Sequence, residues 1–288
     1  MKIYERMGNG TFLVTEGQVK YIEFECLNKY KDSLIHCMST RSGGISTGKY
    51  KSMNLGFSRN DLRDNVNENF ALFCKTVGLN TDSLVMTNQV HGTKVCQVDE
   101  ADVGKGFTRE SDIIGVDGLC TSTPGVTLVT FHADCVPVFL YEPGINAAAL
   151  LHSGWKGTLS NIAACGIDKL KQLPGFDSDR LIVVLGPSID FCCFEVSEDV
   201  YILFKEKYSN NEFYRYKGNA KWHINLKGII TRQLKDKGIN VENINDCGIC
   251  TKCRNDIFFS YRGDKGKTGS MAAFMQMKIQ GASNEENF

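Results

Sequence analysis

Two stretches of this chain are apolar without interruption, Ala147-Ala148-Ala149-Leu150-Leu151 and Leu181-Ile182-Val183-Val184-Leu185. A strand with one wet face alternates polar and apolar side chains, because successive residues point to opposite faces. An unbroken run has no polar face to offer, so both of its faces must be covered. Val126–Phe131 and Val136–Tyr141 are the strongest β-rich neighbours of these runs. Shorter strand-like segments lie at Phe12–Val14, Val19–Phe24, Leu34–Met38, Leu84–Thr87 and Lys94–Val98.

The cover has to come from helices. Leu62–Val77 carries Val66, Phe70, Phe73 and Val77 near helical spacing. Asn161–Leu173 does the same with Ile162, Cys165, Ile167 and Leu170, and Ser197–Tyr208 and Asn225–Lys237 add two more helices. Strands and helices mix without strict alternation. The expected fold is therefore α+β: mixed β-sheets with outer helices, a layered α/β/α-type single domain. No repeat of 20–50 residues and no Pro- or Ser-rich linker divides the chain, which has only five prolines. One domain over 1–288 is expected, with its core at about 10–280 and a frayed tail at 282–288.

Charge narrows the partners. With 33 basic and 33 acidic residues the formal net charge is zero. No overall field draws the chain to nucleic acid or to an anionic membrane. No run approaches the roughly 18 apolar residues of a membrane span. The first residues, Met1-Lys2-Ile3-Tyr4-Glu5-Arg6, contain no apolar core of a secretory leader. The twelve cysteines are scattered rather than framed in a short chain, so reduced thiols and a cytoplasmic location are expected.

The chemistry-bearing candidates are few. Of five histidines, His91 precedes Gly92 and His152 ends the run from Ala147, before Ser153-Gly154-Trp155-Lys156-Gly157; Cys135 lies between two β-rich segments. Two imidazoles and one thiolate suit zinc, and three protein ligands leave one position open for chemistry. The spacing does not decide this. A cysteine beside Ala and Val serves equally as a small core hydrophobe, and a histidine before glycine can cap a turn. Asp134 would face away from Cys135 in an extended segment. It can orient a ligand, move a proton, or be structural. Gly154-Trp155-Lys156 leads from a strand end into a helix, where the first N–H groups and Lys156 can attract an anion; an ordinary strand-to-helix turn reads the same way. Cys247, Cys250 and Cys253 have cluster-like spacing but lack a local fourth ligand, and Cys192-Cys193 reads as buried thiols or a redox pair.

These segments together resemble one family. Ser39–Ser46 is similar to its TTRxGGVS segment, Met53–Gly56 to NLG, Val90–Gly92 to VHG and His132–Pro137 to TADCVP. His152–Gly157 is similar to HAGWRG, Gly186–Ile189 with Cys192–Val196 to GPxIGPCCYEV, and Phe258–Arg262 to FFSYRRD. Seven ordered segments between about 36 and 278 identify the chain as resembling the YfiH/DUF152 family, also called laccase-domain or multicopper polyphenol oxidase proteins and now named as purine nucleoside phosphorylases. The resemblance implies a zinc-dependent purine nucleoside enzyme. It implies phosphorolysis of adenosine, inosine, guanosine and methylthioadenosine, together with adenosine deamination. It implies His91, Cys135 and His152 as metal ligands and catalytic residues beside Asp134. Arg41 and Arg262, with Lys156, are then expected at phosphate or substrate, and Asn54 and His36 at base or ribose.

This sequence departs from the family pattern at Lys156 and Ser153 in HAGWRG, at Gly263 in FFSYRRD, and at Ser270, where an arginine often stands. Lysine keeps the charge but loses the planar bidentate fork of arginine. Three other readings stay open. Cys135 can be the nucleophile of a cysteine hydrolase with a histidine base. A copper oxidase needs many histidines in HxH pairs, which this chain lacks. A metal-binding protein without catalysis would turn over no nucleoside.

Overall fold

The computed structural model describes residues 1–279; the expected tail at 282–288 lies outside them. Two large mixed sheets lie face to face at its centre. The first has seven strands in the order Lys2–Gly8, Thr11–Glu16, Val19–Phe24, Leu34–Ser39, Met271–Met277, Thr127–His132 and Leu84–Met86. The second has six, in the order Ile244–Asp246, Ile182–Leu185, Val136–Glu142, Ala147–Ser153, Gly118–Thr121 and Val95–Gln97. A small third sheet joins Glu195–Ser197, Lys221–Ile224 and Tyr214–Gly218.

The unbroken runs owe their composition to this double layer. From Val136–Glu142, Phe139 and Tyr141 enter the core between the two sheets, with Ile22, Phe24, Leu128 and Met275 opposite. Val136, Val138 and Leu140 point the other way, under Ile162, Ile167, Ile229 and Ile230 of the helices Ile162–Leu170 and Leu226–Asp236. On the far side, helix Arg63–Val77 lays Val66, Phe70, Phe73 and Cys74 on the first sheet against Tyr21, Val129 and Phe274. The order is helix, sheet, sheet, helix, so the β layer expected from the sequence is two sheets thick. Each fully buried leucine, valine or phenylalanine in these interfaces contributes about 1.5–3 kcal/mol of transfer free energy.

The expected strands and helices recur within a few residues of the observed ones. The fifth strand in the order of the first sheet, Met271-Ala272-Ala273-Phe274-Met275-Gln276-Met277, is the instructive exception. Ala and Met favour helix by intrinsic propensity. Pairing on both edges, with Leu34–Met38 and Thr127–His132, and burial on both faces override that preference. Lys2–Gly8 fails the apolar test for the opposite reason: it is an exposed edge strand.

The site lies where strands end. Thr127–His132 belongs to one sheet and Val136–Glu142 to the other, so the turn Ala133-Asp134-Cys135 carries the chain between the layers. His152, next to last in Ala147–Ser153, pairs with Pro137 in the adjacent strand. Cys135 and His152 are therefore brought to the same end of the same sheet.

Candidate metal centre

Three elements deliver His91, Cys135 and His152 to one point. Their ligand atoms all lie within 4.8 Å of one another. His91 comes from the loop after Leu84–Met86 and has φ +61°, a left-handed conformation uncommon outside glycine. The strain is held by Asp117, whose carboxylate accepts the backbone N–H groups of Val90, His91 and Gly92 at 3.1, 2.9 and 2.7 Å. The same carboxylate takes the Nδ1 proton of His152 at 2.8 Å, while the His152 backbone N–H donates to the Asp117 carbonyl at 2.7 Å. Asp117 is fully buried and serves both histidines at once.

The donor set fits zinc. With Nδ1 of His152 committed to Asp117, its Nε2 remains for a metal, the carboxylate–histidine pairing common behind zinc ligands. Gly154 makes room for the cradle: a Cβ there would sit 2.6 Å from His91 Cδ2 and 3.1 Å from Cys135 Sγ. Only glycine lets the backbone pass so close to both ligands.

Electrostatics favour a deprotonated sulfur. Burial alone pushes the Cys135 thiol up, but His152 and His91 beside it outweigh burial and bring it below its ordinary value. Burial would lower His152, yet Cys135 and Asp117 hold it above the ordinary imidazole value. Burial also works to raise Asp117, and the bonds from His152 and the N–H groups of Gly92 and Val90 reverse that, leaving it low. The three shifts share one cause, the close approach of Cys135, His152 and Asp117.

His132 also packs against His152, with ring centroids 5.4 Å apart. Both its nitrogens are already used, Nε2 with Thr130 Oγ1 at 2.8 Å and Nδ1 with the Cys135 carbonyl at 3.1 Å. Burial holds it well below its ordinary value, hence neutral. It supports the turn that carries Cys135 rather than adding a fourth ligand.

The three residues sit at one wall of a cavity of about 800 Å³, within the usual range for small-molecule sites. Phe57, Ile114, Phe131, Phe194 and Tyr261 supply apolar and aromatic surface; Arg59 and Arg262 supply charge. Asp134 lines it too, with φ +87° at the turn. Its two carboxylate oxygens are occupied, one by Thr251 Oγ1 at 2.6 Å and the other by the Arg262 backbone N–H at 2.7 Å. It braces the turn to the segment that carries Arg262.

The remaining sequence candidates are placed elsewhere. Arg41 does not line the cavity. Its guanidinium is held by the Asn255 carbonyl and side-chain oxygen at 2.6 and 3.0 Å and lies 4.8 Å over the Phe259 ring. Asn54 is fully buried; its Oδ1 accepts from Gly56 and Ser270 N–H groups, which fixes the loop leading to Arg59. His36 is buried in the first sheet, stacks on Phe24 and accepts its backbone N–H at 3.0 Å. Lys156 is exposed, 5.6 Å over the Trp155 ring, on a helix of five residues, Trp155–Leu159. Two residues not singled out from the sequence take their places in the site: Asp117 behind the histidines and Arg59 in the cavity wall. Arg59 Nε donates to Ser270 Oγ at 2.8 Å.

Comparison with known proteins agrees over nearly the whole chain. A family model described as multi-copper polyphenol oxidoreductase laccase matches residues 35–278. This chain belongs to that family. It is 29% identical over 268 residues to the purine nucleoside phosphorylase YlmD of Bacillus subtilis, covering 92% of this chain and 96% of the relative. It is 32% identical over 239 residues to a purine nucleoside phosphorylase of Deinococcus radiodurans, covering 83% and 87%. The crystal structure of YlmD from Geobacillus stearothermophilus superposes with a TM-score of 0.86 at 27% identity, over 93% of this chain and 99% of that one. That of the hypothetical protein YfiH of Bacillus licheniformis gives 0.84 at 26% identity, over 96% and 99%.

Proposed function

We propose that this chain is a zinc-dependent purine nucleoside phosphorylase that also deaminates adenosine. The observation that carries the reading is the convergence of His91, Cys135 and His152, braced by Asp117, on a cavity that also presents two arginines. Relatives named as purine nucleoside phosphorylases, similar along most of their length, support the substrate class.

His91, Cys135 and His152 would hold the metal, and zinc bound there supplies Lewis-acid polarisation and makes water more acidic. The protein's own residues do the rest. Asp117 keeps the His152 proton on Nδ1, so the ring faces the site in one tautomer. Phe131, Phe194 and Tyr261 offer flat apolar surface to a purine. Arg262 and Arg59 offer guanidinium charge to phosphate, which must sit beside ribose C1′ as the bond to the purine breaks. The Arg262 guanidinium is steadied by the Glu195 carbonyl at 2.7 Å and by the Phe194 ring 5.7 Å away. Positioning phosphate and nucleoside in a walled cavity supplies much of the advantage that proximity can give.

The histidine count speaks for zinc over a multicopper centre. Of the five histidines, His36, His132 and His223 lie outside the three-ligand group, and the first two have their ring nitrogens in protein hydrogen bonds or buried stacking. A mononuclear plus a trinuclear copper set needs more imidazoles than remain.

A second reading has its own observation. Asp117, His152 and Cys135 also form an acid–base–nucleophile series, with a sulfur already favoured as thiolate. The third ligand, His91, has no part in that series, which is why the metal reading is preferred. Metal analysis with a nucleoside panel, run with and without phosphate, separates them. Phosphate-dependent release of a free purine base, and conversion of adenosine to inosine, both lost on chelation, is the expected result. Metal-loaded protein that converts no purine nucleoside under either condition overturns the enzyme reading. Chelator-resistant hydrolysis, stopped by thiol alkylation, favours the second.

A further inference from the structure

Four cysteines from two distant segments meet at the Ile189–Phe194 loop. Cys192 and Cys193 follow Asp190; Cys250 and Cys253 form a CxxC pair 57 residues later. The Sγ atoms of all four lie within 4.8 Å of one another. Cys253 Sγ is 3.7 Å from that of Cys192 and 3.4 Å from that of Cys193. A tetrahedral ion bonded at about 2.3 Å to four sulfurs sets them roughly 3.8 Å apart. A disulfide needs about 2.05 Å and would use only two of the four. Cys247, the remaining cysteine of the run, is absent from the group; it is buried beside Lys227 Nζ at 3.7 Å.

We propose that Cys192, Cys193, Cys250 and Cys253 form a second metal site, a closed four-thiolate site for zinc. It is independent of the catalytic reading. Four protein ligands leave no open position, so the site is structural. Its reach is visible in the connections of its two loops. Thr251, next to Cys250, donates to Asp134 at 2.6 Å, and its backbone N–H donates to the Ser188 carbonyl at 2.9 Å. Ile189 and Phe194, which bracket Cys192 and Cys193, line the cavity. A metal here ties the floor under Asp134 to the wall that bears Phe194.

The test is metal analysis of full-length protein purified without oxygen. The wild type should carry two zinc equivalents, and Cys253→Ser and Cys192→Ser one each. Cys135→Ser should keep one, with an all-sulfur shell by X-ray absorption. One equivalent in the wild type, unchanged in Cys253→Ser, overturns the site. So does a disulfide among these four cysteines in the anaerobic protein, or a second equivalent that proves to be iron. Should the serine variants fail to fold, the wild-type absorption spectrum decides: a zinc shell dominated by sulfur supports the site, and one dominated by nitrogen and oxygen removes it.

Discussion

The two cysteine-bearing clusters of this protein are built from similar atoms for opposite ends. At His91, Cys135 and His152, a mixed nitrogen and sulfur set has three members, faces a cavity of about 800 Å³, and is backed by a buried carboxylate. At Cys192, Cys193, Cys250 and Cys253, four sulfurs face each other on turns, two of them on exposed residues. An incomplete set with a shaped space next to it can bind a substrate; a complete set can only hold loops together. What separates them is the number of ligands and what the backbone leaves open in front of them.

The sharpest break in that comparison is Cys135→Ser. Serine is a far poorer zinc ligand than thiolate. Nucleoside conversion should fall to background, with one metal equivalent lost and the fold kept, as circular dichroism and metal analysis would record. Full zinc occupancy in Cys135→Ala and His152→Ala would end the site assignment. Graded chelation should show the same asymmetry in the wild type: activity disappears with the first equivalent removed, from the open site, before any loss of melting temperature. Loss of structure ahead of activity would reverse the roles.

Asp117→Asn comes next. The amide can still face His152, but it no longer offers a charged acceptor to three backbone N–H groups and one imidazole. Removing a partner behind a metal ligand typically costs about 10–100-fold in metal affinity or activity. The expected result is weaker zinc retention measured by competition with a chelator, and a lower melting temperature. Unchanged zinc affinity would show that His152 needs no such brace.

Asp117 also shows where sequence reading stops. It stands in Gly115-Val116-Asp117-Gly118, which reads as a turn. Only pairing of Gly118–Thr121 with Ala147–Ser153 sets it beneath His152. Cys135 and His152 were legible because each adjoins a strong strand and carries metal-binding chemistry. The sheets were legible wherever burial on both faces removed polar residues, and illegible at Met271–Met277, where neighbours on both edges override helix-favouring side chains. The four-cysteine group was half legible: the CxxC pair is local, but its partners arrive through the parallel bridge between Ser188 and Cys250. Arg59 has no motif around it, and its place in the cavity depends on the Asn54-centred loop.

Cys253→Ser should leave chemistry possible but loosen the wall. The expected outcome is a fall of several degrees in melting temperature, on the order of 2–4 °C per kcal/mol for a chain of this class. A higher KM for nucleoside should accompany it, measured in steady-state assays, with kcat less affected. A kcat collapse with KM unchanged would mean that this cluster belongs to the chemistry.

The arginines give the smallest and most discriminating contrast. Arg262 and Arg59 face the cavity, whereas Arg41 is spent on Asn255 and Phe259. A charge-assisted hydrogen bond contributes about 1.5–3 kcal/mol, so Arg262→Ala or Arg59→Ala should raise the phosphate KM by roughly 10–100-fold. Adenosine deamination uses water in place of phosphate and should suffer less in both variants. Lys156→Ala should change either reaction little, since its ammonium is exposed over Trp155. Arg41→Ala should act through the fold, by about 1–2 kcal/mol of stability for its lost hydrogen bonds and ring contact, and should slow both reactions together. A selective rise in phosphate KM for Arg41→Ala, absent from Arg59→Ala, would mean that phosphate binds on the Asn255 side of the molecule and that the cavity arginines hold something else.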